Sequence, residues 1–167
     1  MSSMYERLRV ALPKAEFSSP ATAQQIAAAE QALGMRFPDW LRELYLCTNG
    51  IFDGSGGLEY LMTIRSEVDS EGLVRCNQFH RNLWMENLPN RKQMRPEIDW
   101  DQWDVRRLLL ISRQDCTEWG IIPERGPQII WHDVRQDEWS VIAGDLAEAC
   151  IQDQMELEKI RAAQPKK

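Results

Sequence analysis

The sequence predicts an α+β fold, an antiparallel sheet flanked by N-terminal and C-terminal helices, and two observations lead to it. Apolar residues recur at helical spacing at both ends of the chain, whereas short apolar runs separated by turn residues crowd the second half. Strands joined by short turns pair antiparallel, because a parallel pair requires a crossover of a dozen or more residues. Helices and strands in this order pack as separate layers of an α+β domain.

Three helices are predicted near the N-terminus. In the second, Thr22 and Gln25 form the capping-box pattern, and Gly34 follows the last turn as a left-handed residue would. Pro38 stands at the predicted first position of the third helix, where its missing N–H has no intrahelical partner to lose. The three helices are expected over residues 3–12, 22–33 and 38–48.

The middle of the chain predicts a strand over 58–64, followed by a helical stretch over 66–88 that is interrupted or restarted near Gly72. A glycine-rich segment, 53–57, precedes the strand. We expect a turn there and not a phosphate-binding loop, because Leu and Glu follow it where the Walker pattern requires Lys and then Ser or Thr.

Closely spaced apolar runs follow a polar stretch over 89–104, and they predict strands. Turn-forming or charged residues separate these runs, as expected of strands that end in turns. Asp145 then occupies the position of a helix N-cap ahead of an apolar-periodic C-terminal segment. The strands are expected over residues 108–111, 118–122, 128–132 and 139–143.

Size and charge narrow the functional classes. The 167 residues suffice for a single domain, 1–167, with a buried core. Acids outnumber bases by 26 to 20, so the formal net charge is −6. That charge disfavours direct binding to nucleic acid or to an anionic membrane, because both are bound chiefly through Lys and Arg. We expect a basic protein partner instead, since opposite fields steer encounter.

The sequence also bears on the compartment. No stretch reaches the ~18 consecutive apolar residues of a membrane-spanning helix. The N-terminal segment has no apolar core followed by a cleavage site, so no secretory signal is visible. A cytoplasmic location is therefore expected.

Residues that usually carry catalysis or metal binding are scattered. The four cysteines form no C-x-x-C pair, so we expect buried, reduced thiols. The two histidines have no second metal ligand near them in sequence, and we expect structural roles for them. These residues are Cys47, Cys76, Cys116, Cys150, His80 and His132. We therefore expect no catalytic residue, no metal and no cofactor.

The seven tryptophans divide into two groups. Five lie in or beside apolar runs, as core residues do. Trp100 and Trp103 stand instead among three aspartates, and aromatic residues flanked by charge are typical of an interface anchor. The aspartates do not predict a calcium site, because the segment lacks the Gly and Glu of a calcium-binding loop. The alternative, that both rings fold back onto the sheet, stays open. The residues predicted to bind a protein partner are Asp99, Trp100, Asp101, Trp103 and Asp104.

A distinctive set of residues lies between positions 20 and 50: Ile26, Glu30, Leu33-Gly34, Pro38-Asp39, Tyr45 and Asn49-Gly50. With this set, the segment resembles the N-terminal signature of the SUKH superfamily. The later strands and the final helix agree with that family in order and pattern. Two features differ: the 87–104 segment is longer and more polar than a minimal member needs, and Phe37 replaces the usual aliphatic residue before the proline.

The resemblance implies a sheet flanked by helices, with no catalytic motif shared across the family. Many bacterial members resemble immunity proteins that bind and neutralise a cognate polymorphic toxin, often a nuclease, and others resemble interaction scaffolds such as fungal cell-wall-synthesis regulators. The leading hypothesis is thus stoichiometric binding of a basic toxin domain. The alternatives are a regulatory scaffold unconnected with toxins and a hydrolase that uses two converging carboxyls, one with a strongly raised pKa. The oligomeric state stays open.

Overall fold

The computed structural model describes residues 2–53, 58–64, 72–104, 106–114, 117–134 and 138–163. The helices in this part of the chain are α1 (Met4–Ala11), α2 (Ala23–Leu33), α3 (Asp39–Cys47), α4 (Leu73–Met94) and α5 (Leu146–Ala163), with a 3-10 turn at Pro123–Arg125. The strands are β1 (Glu16–Phe17), β2 (Ile51–Phe52), β3 (Leu58–Leu61), β4 (Leu109–Gln114), β5 (Thr117–Ile121), β6 (Ile129–Asp133) and β7 (Glu138–Ala143).

The strands form one seven-stranded sheet in which spatial order follows chain order from β1 to β7. Every neighbouring pair is antiparallel, which confirms the predicted fold class. β1 and β2 were not predicted from the sequence, because a strand of two residues is too short to show an alternating hydrophobic pattern. β3 ends at Leu61, before the predicted end at residue 64, and the predicted turn after β5 is a single 3-10 turn.

Helices cover both faces of the central strands. On one face, α4 approaches β4, where the Asn77 side-chain amide donates to the Leu110 carbonyl and its oxygen accepts from the Leu110 amide, both at 2.8 Å. On the other face, the Tyr60 ring lies 6.0 Å from the Trp119 ring, and the Tyr60 hydroxyl donates to Asp153 of α5. β5 is consequently buried on both faces, so even its polar residue Glu118 is only 4% exposed.

The predicted caps of α2 are confirmed at both ends. The Thr22 hydroxyl accepts from the Gln25 amide while the Gln25 side chain accepts from the Thr22 amide, which satisfies two amides at the start of α2. Gly34 takes φ 63° after the last turn, a conformation that glycine adopts without steric cost. Pro38 is the N-cap of α3 and not its first helical residue.

The prediction for α4 was wrong at its C-terminal end. The helix begins directly after Gly72, but it continues through Pro89 to Met94, where a polar loop was expected. Tertiary contacts hold these last turns, since Leu88 packs on the Trp84–Trp100 cluster and the Arg91 guanidinium lies 4.1 Å from the Trp84 ring centroid. Packing thus offsets the hydrogen bond that a helix loses at an interior proline.

Some predictions fall wholly or partly outside the described residues. These are the glycine-rich turn at 53–57, of which only residue 53 is described, the helical stretch before residue 72, and the environment of Cys116. Within the described part of the chain, Cys76 and Cys150 are buried free thiols, as expected, whereas Cys47 is exposed. A search of the same residues found no helix long and apolar enough to cross a membrane.

Candidate functional site

The segment over residues 95–104 is here called the tryptophan loop, and its residues 99–104 were predicted to present aromatic anchors to a partner. The Trp100 ring is only 7% exposed and packs against Trp84, with the two ring centroids 6.1 Å apart. Its indole N–H donates to the Arg95 carbonyl at 3.0 Å, so the polar atom of the ring is also satisfied inside the chain. Trp100 therefore anchors the loop to α4.

Trp103 is partly buried and lies over the β7 end of the sheet. Its ring stacks on the Trp139 ring at 6.0 Å with an interplanar angle of 16°, and Trp139 stacks in turn on His132 at 3.9 Å. Both loop tryptophans thus lie against the chain's own side chains, which is the alternative that the sequence left open. Partner binding by the five predicted residues stays a prediction.

The three aspartates of the loop differ in their surroundings. Asp99 accepts from the backbone amides of Asp101 and Gln102, both at 3.2 Å, which fixes the turn. The Asp101 side chain is 96% exposed, and Lys92 Nζ stands 3.7 Å from its carboxylate at the surface. Asp104 is bound by the Arg106 guanidinium, whose hydrogen bonds lower the pKa of that carboxyl. Asp99 and Asp101 are therefore both exposed, but Asp99 also fixes the turn, while Asp104 is held by Arg106.

A second polar group, here called the histidine cluster, lies beneath the loop. It consists of His80 on α4, Glu118 on β5 and His132 on β6. One Glu118 oxygen is 3.0 Å from His80 Nε2, and the other is 3.3 Å from His132 Nδ1. The Trp84 and Trp139 rings lie against His132, with centroids 4.9 and 3.9 Å from the imidazole. The cluster thus joins α4 to the sheet and packs against Trp139 of β7.

The cluster holds Glu118 in its charged form. Burial alone would raise the pKa of Glu118, but the hydrogen bonds with His132 and His80 outweigh it and lower the pKa to about 2. For His80, burial favours the neutral ring, yet contacts with Cys76 and Glu118 outweigh it and raise the pKa to about 9. The result is a charge pair inside the domain, which is tolerated because both members are hydrogen-bonded.

His80 contacts both Cys76 and Glu118. This gives the sequence of thiol, imidazole and carboxylate groups that a nucleophilic catalytic triad has. The geometry does not support catalysis there. Cys76 is only 8% exposed, and the cavity beside His80 and Glu118 measures about 10 Å³. A volume of ~10–15 Å³ holds one water molecule, far less than a substrate. Among the described residues, no group of three or more His, Cys, Asp or Glu could hold a metal ion.

The carboxyl pair required by the hydrolase alternative has one approximate counterpart. Burial raises the pKa of Asp153, and the charge of Asp53 adds to that shift. The Asp153 carboxylate accepts from the Tyr60 hydroxyl at 2.9 Å, and the Gln154 side chain donates to the same hydroxyl. Because its acceptor oxygen is engaged in joining β3 to α5, we interpret Asp153 as a structural group.

The sequence analysis missed the histidine cluster because its members are distant in sequence. One signal was present: Glu118 and His132 each stand inside a predicted buried strand. A buried carboxylate needs a cationic or hydrogen-bonding partner, and histidines are two of the few residues that could supply one.

Comparison with known proteins supplies the last observation. The family model described as "SMI1 / KNR4 family (SUKH-1)" matches residues 20–150. The match covers α2 to the first turn of α5, and therefore includes both the tryptophan loop and the histidine cluster. A search of curated proteins found no match.

Proposed function

The chain belongs to the SMI1/KNR4 family (SUKH-1), and from that premise we propose that it is an immunity protein that binds and neutralises a cognate polymorphic toxin. Domains of this family mediate protein–protein interaction and are generally immunity or regulatory domains rather than enzymes. The family match over residues 20–150 is the observation that carries the proposal. Neutralisation is stoichiometric: the bound protein covers the toxin surface that meets its substrate.

Charge supports a basic toxin domain as the partner. The chain has a net charge of −6, and a domain that binds nucleic acid, such as a nuclease, carries the opposite field at its substrate site. The tryptophan loop contributes the solvent-facing carboxylates of Asp99 and Asp101 to the acidic surface. We propose that these two groups contact the partner while Trp100 and Trp103 hold the loop in shape. The encounter takes place in the cytoplasm, where the toxin would otherwise reach its substrate.

A regulatory scaffold of the same family is the second candidate, because family membership supports it equally. The two candidates differ in the partner and in the genome neighbourhood, since an immunity gene stands beside a toxin gene. A carboxylate-based hydrolase is the third and least supported candidate.

Affinity purification from the native cell tests the proposal. The tagged wild-type chain is expected to capture one basic protein with a toxin domain, and adding the purified chain is expected to abolish that protein's toxicity at a one-to-one ratio. Capture of a regulatory or cell-wall-synthesis protein without toxic activity would favour the scaffold. The charge control is Glu156→Lys on α5, because the Glu156 carboxylate is exposed and contacts the exposed Lys159 at 3.2 Å. Asp104 is not suitable for a charge change because it binds Arg106.

A further inference from the structure

We infer that the outer edge of β7 is the docking edge, where an extended, basic segment of the protein partner adds to the sheet as a further strand. The inference rests on the proposed function in so far as the partner is a protein. It concerns the backbone of Glu138–Val141, which the sequence analysis assigned to no binding role.

β7 is the last strand in the sheet order, so only its β6 side is paired by the sheet. Among the described residues, no backbone hydrogen bond joins β7 to any strand or loop other than β6. The opposite edge of the sheet is β1, which is two residues long and therefore offers little to pair with. β7 has six residues, about the usual length of a strand that a bound peptide extends.

The edge also lacks most of the features that discourage pairing. β7 contains neither Pro nor Lys, and Val141 is 50% exposed. A register shift between Ile129 and Ile130 of β6 places Ile142 outside the regular ladder, so the regular stretch is Glu138–Val141. Four residues with alternating outward groups suffice for a short added strand.

Charge identifies the occupant. Glu138 is exposed on β7 and stands opposite Asp133 of β6 in the register. The tryptophan loop lies over the same strand, because Trp103 stacks on Trp139, and it brings the carboxylates of Asp99 and Asp101 to this side of the molecule. A second copy of the chain would bring another molecule of net charge −6 to the same edge, so charge favours a basic segment over a second copy. A segment with Lys or Arg on alternate residues complements both the edge and the loop.

A synthetic peptide of alternating Lys and Val tests the inference without knowledge of the natural partner. Titrated into the full chain labelled with ¹⁵N, it is expected to shift the amide resonances of residues 138–141 more than those of other strands. The matched probe is the same peptide N-methylated on every residue, which keeps its charge but cannot donate a backbone hydrogen bond along either edge. Its dissociation constant is expected to be at least about tenfold larger.

Two variants of the chain provide the internal control. Neighbouring residues of a strand direct their N–H groups to opposite sides, so Ser140→Pro and Val141→Pro remove donors on different sides of β7. The variant that retains the wild-type Tm has lost the outward N–H, and it is expected to bind the unmethylated peptide at least about tenfold more weakly.

Several results would overturn the inference. These are equal binding of the two peptides, resonance shifts confined to the tryptophan loop, no shift in β7, or a wild-type dimer that pairs through β7 in solution. Failure of the proposed function is distinct from these results. If no toxin is captured, the proposed function fails, but the peptide experiment still tests the β7 edge. If the toxin binds the proline variant of the edge as tightly as the wild type, the edge inference fails while the proposed function stands.

Discussion

Glu118 illustrates how a single buried residue depends on partners from other elements. Its carboxylate lies between His80 of α4 and His132 of β6, and it would destabilise the sheet without them. The cluster sits directly under the rings that support the tryptophan loop. Any change that weakens the cluster is therefore expected to loosen the surface from which Asp99 and Asp101 project.

The pKa shifts predict how stability depends on pH. Because the pKa of Glu118 is lowered to about 2, its contribution is present above the ordinary value of 4.5 and is lost as the pH falls towards 2. Because the pKa of His80 is raised to about 9, its contribution is present below 6.5 and is lost as the pH rises through 9. Urea unfolding is expected to show the largest contribution of this pair between pH 4.5 and 6.5.

His80→Gln is the variant that tests this prediction. It is expected to lower the unfolding free energy near pH 6 and to remove the wild-type decline between pH 6.5 and 9. Wild-type and variant curves that run parallel over this interval would show that His80 does not titrate as described.

Trp100→Ala is expected to destabilise the fold, because the ring is 7% exposed and its N–H is bonded inside the chain. Truncation of a buried Trp typically costs about 3–5 kcal/mol of unfolding free energy. Trp103→Ala is the matched control and is expected to cost less, since Trp103 is only partly buried. If Trp100→Ala instead weakened partner binding and left urea unfolding unchanged, Trp100 would be an interface anchor.

At the scale of elements, α5 begins at a residue that also ties it to α1. The Asp145 carboxylate accepts from the Glu148 amide at 3.0 Å and binds the Arg7 guanidinium through both oxygens, at 2.6 and 3.1 Å. One side chain therefore caps the last helix and joins it to the first. The sequence predicts the cap, but the contact with Arg7 depends on the fold.

Two substitutions at Asp145 separate these roles. Asp145→Ala removes the cap and the ion pair, and is expected to lower the unfolding free energy by about 1–2 kcal/mol. Asp145→Asn keeps a cap acceptor, and is expected to retain most of the stability because a partly exposed ion pair contributes less than about 1 kcal/mol. Equal losses in urea unfolding would assign the whole effect to the contact with Arg7.

For the whole molecule, the acidic balance predicts electrostatic steering of the partner. Asp101→Lys is expected to slow association and to flatten its dependence on ionic strength, with little change in Tm because the Asp101 side chain is 96% exposed. Stopped-flow association with the captured partner, measured over a salt series, checks this, with Glu156→Lys as the charge-matched control. A wild-type association rate that does not respond to salt would refute the steering argument.

Local patterns in the sequence determined much of this protein. The α2 helix was predicted from its capping residues Thr22 and Gln25 and from Gly34 at its end. The antiparallel sheet was predicted from the apolar runs of β4 to β7. Both predictions were possible because caps, turns and periodicity depend on residues close in sequence. The motif over residues 20–50 also indicated the family.

Only the tertiary structure decided where the unusual side chains go. Trp100 and Trp103 stand in a polar segment, yet their rings pack on Trp84 and Trp139, from elements that the local pattern does not connect. Contacts of Leu88 and Arg91 with the Trp84–Trp100 cluster hold α4 beyond Pro89. The pairing of Glu118 with two histidines likewise joins residues that are distant in sequence. Burial and ion pairing depend on which elements meet in space, and that information is not contained in the local spacing of residues.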